Sequence, residues 1–294
     1  MGKLSVDIIE DTYLSKSAAA GNNLSILIGM DRLTYLVSTA DHQVLVLHEY
    51  ELESRAAISA KQGQNAYWED FVKKICREVP HFHQPYARIR IGWTTSFSAI
   101  VPGRLYQAAH KATYLQYLSA QEGKWEYGAD QLPHFNAFHV YGVPGEALSW
   151  SRTQFPGSEA LHAGTAYLAG ARALLSGQPG TRCLFVHVGF RELRLSVMDG
   201  NQLYFTNVYT FQTAKDFLYY LLAVVDECDL DQETTPVLLS GRLIEDSEIY
   251  RLLYRYFRKL SFVSRPSALV PGPKLSAIPQ HLYTDLYFLA LHAV

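Results

Sequence analysis

The stretch LFVHVGFRELRLSV, residues 184–197, consists of two apolar segments separated by a glycine and a short polar turn. The stretch LSILIGMDRLTYLV, residues 24–37, repeats this pattern in the other half of the chain. Apolar runs joined by a turn predict a β-hairpin whose strands are buried on both faces. Aligning Gly189 with Gly29 gives an offset of 189 − 29 = 160 residues, at which the apolar positions coincide. The chain is therefore predicted to contain an internal duplication of one α/β lobe.

The second half of the chain is predicted to contain a series of strands and helices that begins with this hairpin. Strands at 183–188, 193–198 and 202–210 precede a helix at 214–227, a strand at 236–241, a helix at 245–260, a short strand and a helix at 281–292. A three-strand meander that continues into right-handed crossovers builds a mixed sheet. The first half has a similar meander within 24–52, a helix that Pro80 ends and a strand at 87–93. It also predicts a helix over 104–119, a strand over 137–144 and a helix over 162–175.

Length and composition favour two domains in a globular chain. The 294 residues contain 48% hydrophobic and 18% charged residues, a balance that suits a packed core rather than disorder. We predict a loose leader at 1–20, a first lobe at 21–178 and a second lobe at 179–294, with SGQPG at 176–180 as the linker.

Charge and cysteine content limit the classes of partner and compartment. A net charge of −2 does not favour binding to nucleic acid, which normally requires a basic surface. The three cysteines form no metal-binding pair and suit a reducing compartment. The longest apolar run, at 217–225, is too short for a bilayer, which requires about 20 residues. We therefore predict a cytoplasmic protein without membrane contact.

The predicted strand order resembles the ribonuclease-H-like fold, and two such lobes in one chain resemble the actin, Hsp70 and sugar-kinase superfamily. The blocks FSAIVPGRLY, LTYLVSTADHQVLVLHEYEL, TFQTAKDFLYYLLAVV and TPVLLSGRLIEDSEIYRLLYRYFRKLSFV resemble an uncharacterised bacterial family of unknown function, best known from Bacteroidetes, with an actin-like ATPase fold. The likeness extends over about residues 10–290 and is strongest at 183–263. It implies a fold and no particular activity.

The superfamily resemblance implies a phosphate-binding turn in each lobe, with an Asp-x-Gly sequence whose carboxylate holds Mg²⁺ through water. Here the aspartate positions are occupied by Leu27 and His187, while Gly29 and Gly189 remain. A leucine cannot bind a hydrated cation, and a histidine is a poor magnesium ligand.

Two further departures from the superfamily pattern lie elsewhere in the chain, and two acidic residues lie near the turns. Asp31 and Glu192 lie near the two turns but are displaced from the motif. Ser240-Gly241 stands where the superfamily usually has Gly-Gly near the nucleotide base. The residues after the strand at 87–93 are Thr94, Thr95 and Ser96, without an acid.

These departures predict a pseudo-ATPase: a non-catalytic actin-like scaffold or interaction protein with no cofactor, no catalytic residue and no metal. Its partners are predicted to be proteins, and homo-oligomerisation stays open. The alternative is a divergent nucleotide-binding ATPase or kinase-like protein, in which Gly29, Gly189, Gly241 and His187 would contact the nucleotide. For His187, a buried histidine with satisfied hydrogen bonds is the competing interpretation.

Two weaker patterns remain. Cys76, His81 and His83 have a spacing that a metal site could use, but a helix end and its loop explain the spacing equally well. Arg251, Arg255, Arg258 and Lys259 form one basic helical face, which offers a second alternative, an RNA-associated accessory protein. A solvated helix face, offset by the acidic residues one turn earlier, is the simpler interpretation.

Overall fold

A computed structural model of the chain describes residues 2–11, 21–29, 32–52, 64–118, 123–176, 180–200 and 202–292. The strands are β1 (Gly2–Ile9), β2 (Asn23–Ile28), β3 (Arg32–Ser38), β4 (Val44–Leu52), β5 (Arg88–Trp93), β6 (Ser98–Pro102), β7 (Trp125–Leu132), β8 (Ala137–Pro144), β9 (Glu159–His162), β10 (Cys183–Val188), β11 (Glu192–Met198), β12 (Leu203–Thr210), β13 (Val237–Gly241) and β14 (Leu260–Phe262). The α-helices are α1 (Gln64–Glu78), α2 (Lys111–Leu115), α3 (Ala147–Gln154), α4 (Ala163–Leu174), α5 (Ala214–Glu227), α6 (Glu248–Tyr256), α7 (Pro273–Ser276) and α8 (Thr284–Leu291).

The two large sheets share one topology. The first has the order β1-β4-β3-β2-β5-β9 and the second the order β12-β11-β10-β13-β14. In each sheet an antiparallel meander is followed by two strands parallel to the first strand of that meander. This order confirms the predicted fold class, two ribonuclease-H-like lobes in an actin-like chain.

Residues related by the 160-residue offset occupy equivalent places in the two hairpins. Ile28 pairs with Leu33 in the first lobe, as Val188 pairs with Leu193 in the second. After a one-residue slip at the next turn, at an offset of 209 − 50 = 159, Tyr50 lies opposite Leu33, and Tyr209 lies opposite Leu193. The halves therefore match residue by residue around the hairpin, while a duplication of the gene stays a prediction.

The first residues form a strand, so the predicted loose leader is wrong for residues 2–9. β1 pairs antiparallel with β4, and Ile8 is buried in the core of the first lobe. The carboxylate of Glu10 accepts a hydrogen bond from the Leu275 N–H at 2.7 Å, which ties the end of the strand to α7. The alternating apolar residues of KLSVDII carry the period-two signal of a strand. Residues 12–20 lie outside the described residues.

The helix predicted over 104–119 is also wrong. The segment contains two short 3-10 turns and the one-turn helix α2. Tyr106 and Gln107 have extended backbone angles that interrupt a continuous helix. Leu115 is buried, but Leu105 and Leu118 are 57% and 50% exposed, so the segment lacks the continuous buried apolar face that stabilises most helices in proteins. Residue 119 lies outside the described residues.

The segment between β5 and β9 contains a third, smaller sheet. Its order is β6-β8-β7, and the buried side chains of Phe97, Val101, Leu115 and Val140 pack together beside it. The sequence predicted β8 but missed β7, α3 and β9. The helix predicted at 245–260 is shorter, because Ser247 caps α6 by accepting the Tyr250 N–H at 3.1 Å.

The last helix of the chain packs on the first sheet. Leu286 and Leu289 of α8 are buried in one cluster with Leu27 and Leu36. Gly170 of α4 lies so close to the ring of Phe288 that a Cβ atom there would be 2.2 Å from it. A helix from the segment predicted as the second lobe therefore completes the core of the first, and the predicted domain boundaries themselves stay a prediction.

Candidate functional site

A cleft of about 650 Å³ separates the two large sheets. It is lined by residues from both halves of the chain. The four residues that the nucleotide alternative singles out all line it: Gly29, His187, Gly189 and Gly241. The fold thus brings together positions that are up to 212 residues apart (241 − 29) in the sequence.

The two hairpin turns close in the same way. The Gly29 N–H donates to the Arg32 carbonyl at 2.8 Å, and the Gly189 N–H donates to the Glu192 carbonyl at 2.8 Å. The turns meet across the cleft, because the Arg32 guanidinium lies 5.3 Å from the centre of the Phe190 ring. Asp31, which the sequence placed near the first turn, lies outside the described residues.

The three glycines of the cleft differ in how strictly the backbone requires them. Gly241 has a φ of +82°, and a Cβ atom there would lie 2.2 Å from the Val188 carbonyl oxygen. At Gly29 a Cβ atom would lie 2.6 Å from the hydroxyl of Thr94. At Gly189 the nearest atom would be 3.5 Å away, which is an ordinary contact. Packing therefore requires glycine at the first two positions and leaves room for a methyl group at Gly189.

His187 belongs to a hydrogen-bonded chain on the floor of the cleft. Its Nδ1 lies 3.0 Å from the Ser240 hydroxyl, which in turn lies 2.9 Å from the Tyr167 hydroxyl. Its Nε2 lies 3.6 Å from the Asp285 carboxylate. Burial alone would raise the pKa of Asp285, but His187 and backbone N–H groups outweigh it and hold the pKa below its usual value. His187 therefore already has protein partners on both ring nitrogens.

A buried carboxylate joins the two lobes across the cleft. Glu49 of β4 is 2% exposed and contacts two guanidinium groups. Arg32 of the same lobe lies 2.5 Å away, and Arg242, which follows β13 in the other lobe, forms the second ion pair. Arg32 also reaches Glu51 at 2.8 Å. Within the cleft, this carboxylate is neutralised by arginines of the chain.

The segment after β5, where the sequence has no acidic residue, also lies at the cleft. Thr94 and Ser96 line it, and the Thr94 hydroxyl donates to the Ile28 carbonyl at 3.3 Å. Across the described ranges, no three histidine, cysteine, aspartate or glutamate side chains come close enough together to hold a metal ion.

Cys76, His81 and His83, whose spacing a metal site could use, do not converge on one point but have different surroundings. Burial raises the pKa of the Cys76 thiol to about 12. The Nδ1 of His81 is hydrogen-bonded to the hydroxyl of Tyr35, and the Nε2 of His83 lies 3.0 Å from the Arg77 carbonyl. The structure thus favours the helix-end interpretation of this spacing.

The basic face of α6 lies away from the cleft. Arg251 and Arg255 are exposed, and Arg258, which follows the helix, forms an exposed ion pair with Glu233 at 3.2 Å. Binding of RNA to this face stays a prediction.

Sequence reasoning missed the charged residues that fill the cleft, chiefly Glu49, Arg242, Arg194 and Asp285. A signal for two of them was present. Glu49 and Arg194 interrupt strands whose other residues are mostly apolar, and a charge in a central strand points to a buried partner or a site. Arg242 and Asp285 lie in connections after β13 and at the start of α8, where no periodicity exposes their role.

Comparison with known proteins agrees with this architecture. Residues 11–260 match the model of a family described as protein of unknown function, DUF3822, and the chain belongs to this family. No curated protein matches the sequence.

Two solved structures share the fold. A Bacteroides thetaiotaomicron protein with an actin-like ATPase fold and unknown function aligns with a TM-score of 0.76 at 14% identity, over 94% of this chain and 98% of that one. A chain of the PilM–PilN type IV pilus biogenesis complex aligns with a TM-score of 0.58 at 15% identity, over 92% and 97%. At these identities the likeness concerns the fold alone. None of the helices in the described ranges has the length and apolar character needed to span a bilayer.

Proposed function

We propose that this chain is a non-catalytic member of the actin-like superfamily that acts as a scaffold or interaction protein in the cytoplasm. The observation that carries the proposal is the loss of both metal-holding carboxylates. Leu27 and His187 occupy their positions, and the nearby carboxylates Glu49 and Asp285 are engaged by cationic or imidazole groups of the protein itself.

The charge balance of the cleft supports this proposal. Mg²⁺ binds through hard oxygen ligands and several retained waters. Glu49 could provide such an oxygen only by giving up its ion pairs with two arginines, which would leave Arg32 with Glu51 alone and break the contact of Arg242 across the cleft. Asp285 would have to leave His187. A magnesium nucleotide therefore has to compete with contacts that the side chains of the cleft already make with one another.

We infer a protein partner because a non-catalytic chain would act by binding. The inference does not rest on an observed complex of this chain. The similar PilM chain was solved as part of a two-protein complex, which is consistent with this fold in a binding role. Three free cysteines, two of them buried, suit the reducing compartment that we propose.

The test is an assay of magnesium-dependent ATP hydrolysis by the purified chain. We expect no turnover above the level of a control preparation. Robust hydrolysis that disappears in Gly189→Val, a change that adds a branched side chain at a turn of the cleft, would overturn the proposal. Gly21→Val serves as the control, because a Cβ atom there meets nothing within 4 Å.

A second candidate function, binding of an anionic ligand such as a nucleotide, is favoured by Arg194. Its guanidinium faces the cleft near Gly164 at the start of α4, and no described carboxylate lies within ion-pair distance. Burial lowers the pKa of this guanidinium, whereas Glu192, Tyr167 and Asp285 raise it. A cation near a helix N-terminus is unfavourable, and an anion between the two would relieve the repulsion.

A thermal-shift measurement with ATP, ADP and GTP, with and without magnesium, tests this candidate. A ligand at 100 times its Kd stabilises by about 2.7 kcal/mol, which raises the melting temperature by a few degrees. Arg194→Gln should abolish the shift, and Arg251→Gln on the exposed face of α6 should retain it. If no nucleotide raises the melting temperature of the wild-type chain, the nucleotide-binding candidate is contradicted and the scaffold proposal is the one that stands.

A further inference from the structure

The outer edge of β12 is uncovered in the part of the chain that the structure describes. β12 is the first strand in the order of the second sheet, and its pairing partner is β11 on its inner side. From Phe205 to Thr210 the pairing with β11 is regular, without a bulge. An edge of this kind presents a row of backbone N–H and C=O groups to solvent.

The other edges of the two large sheets are short or carry the usual protection of an edge. β1, the eight-residue edge of the first sheet, contains Lys3 and Asp7 and has a bulge between Leu4 and Val6. β9 has four residues and β14 has three, and short edge strands offer little to a pairing strand. In the first sheet the equivalent of β12 is β4, whose edge is covered by β1. β12 is therefore the long meander edge for which the described chain provides no covering strand.

The sequence of β12 lacks the usual protection of an edge. LYFTNVYT contains eight residues with no charge, no proline and no glycine, and it is rich in aromatic and β-branched residues. Natural edge strands commonly carry lysine, proline or a bulge to prevent pairing. The register irregularity of β12 lies at its start, between Leu203 and Phe205, and leaves the rest of the strand regular. The composition of β12 instead matches strands that pair readily.

One backbone N–H group on the outer edge of β12 has its hydrogen-bond partner within the same strand. The Val208 N–H points away from β11 and donates to the side-chain oxygen of its neighbour Asn207 at 2.8 Å. Asn207 is exposed, so this contact competes with water and contributes little. Because edge groups alternate along a strand, the amides of Thr206 and Thr210 point the same way. A second strand could take over these donors without disturbing the sheet.

We propose that β12 of one copy pairs antiparallel with β12 of a second copy across a two-fold axis. The pairing joins the two second sheets into one continuous sheet. Three arguments favour a second copy of the chain as the partner of the β12 edge. An uncharged strand meets no like charge when it pairs with itself, and a two-fold interface uses the same patch on both subunits. The strand β1 also shows that this topology accepts an antiparallel strand at the equivalent edge.

The interface is expected to be modest in strength. It rests on one strand and on flanking side chains such as Tyr204, which is 43% exposed and lies against the Arg182 guanidinium at 4.3 Å. Interfaces of small area bind weakly, so we expect a dissociation constant on the order of micromolar.

Sedimentation equilibrium of the full chain, from roughly 1 µM to 1 mM, tests the proposal across the expected range of Kd. The wild-type chain should change from one to two chain masses. Asn207→Lys places a charge at the middle of the edge and should weaken dimerisation roughly tenfold or more. The matched control is Asn207→Thr, which removes the same side-chain hydrogen bond without adding charge and should still dimerise.

A second variant keeps the test independent of the lysine. Val208→Pro removes an N–H that points away from β11, so the sheet stays paired and the edge loses a donor. It too should be monomeric at concentrations where Asn207→Thr dimerises, with an unchanged circular dichroism spectrum. A wild-type chain that stays monomeric at every concentration would overturn the proposal, as would dimers that form equally in Asn207→Lys and Val208→Pro.

This inference does not depend on the proposed function. ATP hydrolysis by the chain would contradict the scaffold proposal and leave the edge pairing intact. A chain that fails to dimerise would contradict the proposed pairing of β12 and would not affect the proposal that the cleft is non-catalytic.

Discussion

At the scale of single residues, Glu49 joins the two lobes electrostatically. Glu49→Gln leaves Arg32 and Arg242 without their buried anion, and breaking a buried ion pair costs about 3–5 kcal/mol. We expect a clear loss in the free energy of unfolding, measured with urea. Glu51→Gln is the control, because Glu51 is 41% exposed and its pair with Arg32 is worth at most about 1 kcal/mol. Equal losses in both variants would contradict a special role for Glu49.

Buried histidines give the protein a predicted dependence on pH. Burial lowers the pKa of His81 to about 4 and that of His162 to about 3, and it also lowers the pKa values of His48 and His139, from 6.5 in each case. Below pH 6.5 the unfolded chain therefore binds more protons than the folded chain, so stability falls as the pH falls. Burial raises the pKa of Asp130 from 3.8 to about 6, which opposes this trend between those two values.

Four histidines outweigh one aspartate, so the net free energy of unfolding should decrease from pH 7 to pH 4.5. Urea unfolding at a series of pH values measures it. A free energy of unfolding that is constant, or that rises on acidification, would show that these imidazoles are charged in the folded chain.

At the scale of elements, the glycines that end the central strands make different demands. Gly241→Ala forces a side chain into a left-handed conformation and against the Val188 carbonyl, so we expect a loss of about 2 kcal/mol or more. Gly189→Ala meets only ordinary contacts and should change stability by less than about 1 kcal/mol. Denaturant unfolding of both variants provides the comparison. A larger loss in Gly189→Ala would mean that the two turns are shaped differently from the structure.

At the scale of the whole molecule, the last helix links the halves of the chain. Leu286→Ala in α8 creates a cavity against the first sheet and should cost about 2–5 kcal/mol. Hydrogen exchange should show the loss of protection in β2 and β3, although Leu286 lies 286 − 36 = 250 residues from Leu36, the β3 residue in the same cluster. Leu253→Ala, equally buried in the second lobe, should instead act first on β10 and β13. Unchanged protection of β2 and β3 in Leu286→Ala would contradict this link.

Local pattern identified much of the fold. The meanders within 24–52 and 183–210, and helices such as α5 with its Thr213 cap, follow from short-range periodicity and capping chemistry. The prediction of one helix over 104–119 is wrong because the apolar residues have helical spacing but only Leu115 among the leucines is buried. β1 was missed because its partner, β4, is about 40 residues away and only pairing with it makes the strand stable.

The sequence alone determined the two-lobed topology and the absence of aspartates before Gly29 and Gly189, since both depend on residues close together in the chain. Only the tertiary structure decided which partners the charged residues of the cleft have. The pairing of Glu49 with Arg242 and of His187 with Asp285 joins segments about 100–190 residues apart. No local periodicity encodes such pairs, because they exist only once the two halves of the chain have folded against each other and brought these charges together at the cleft.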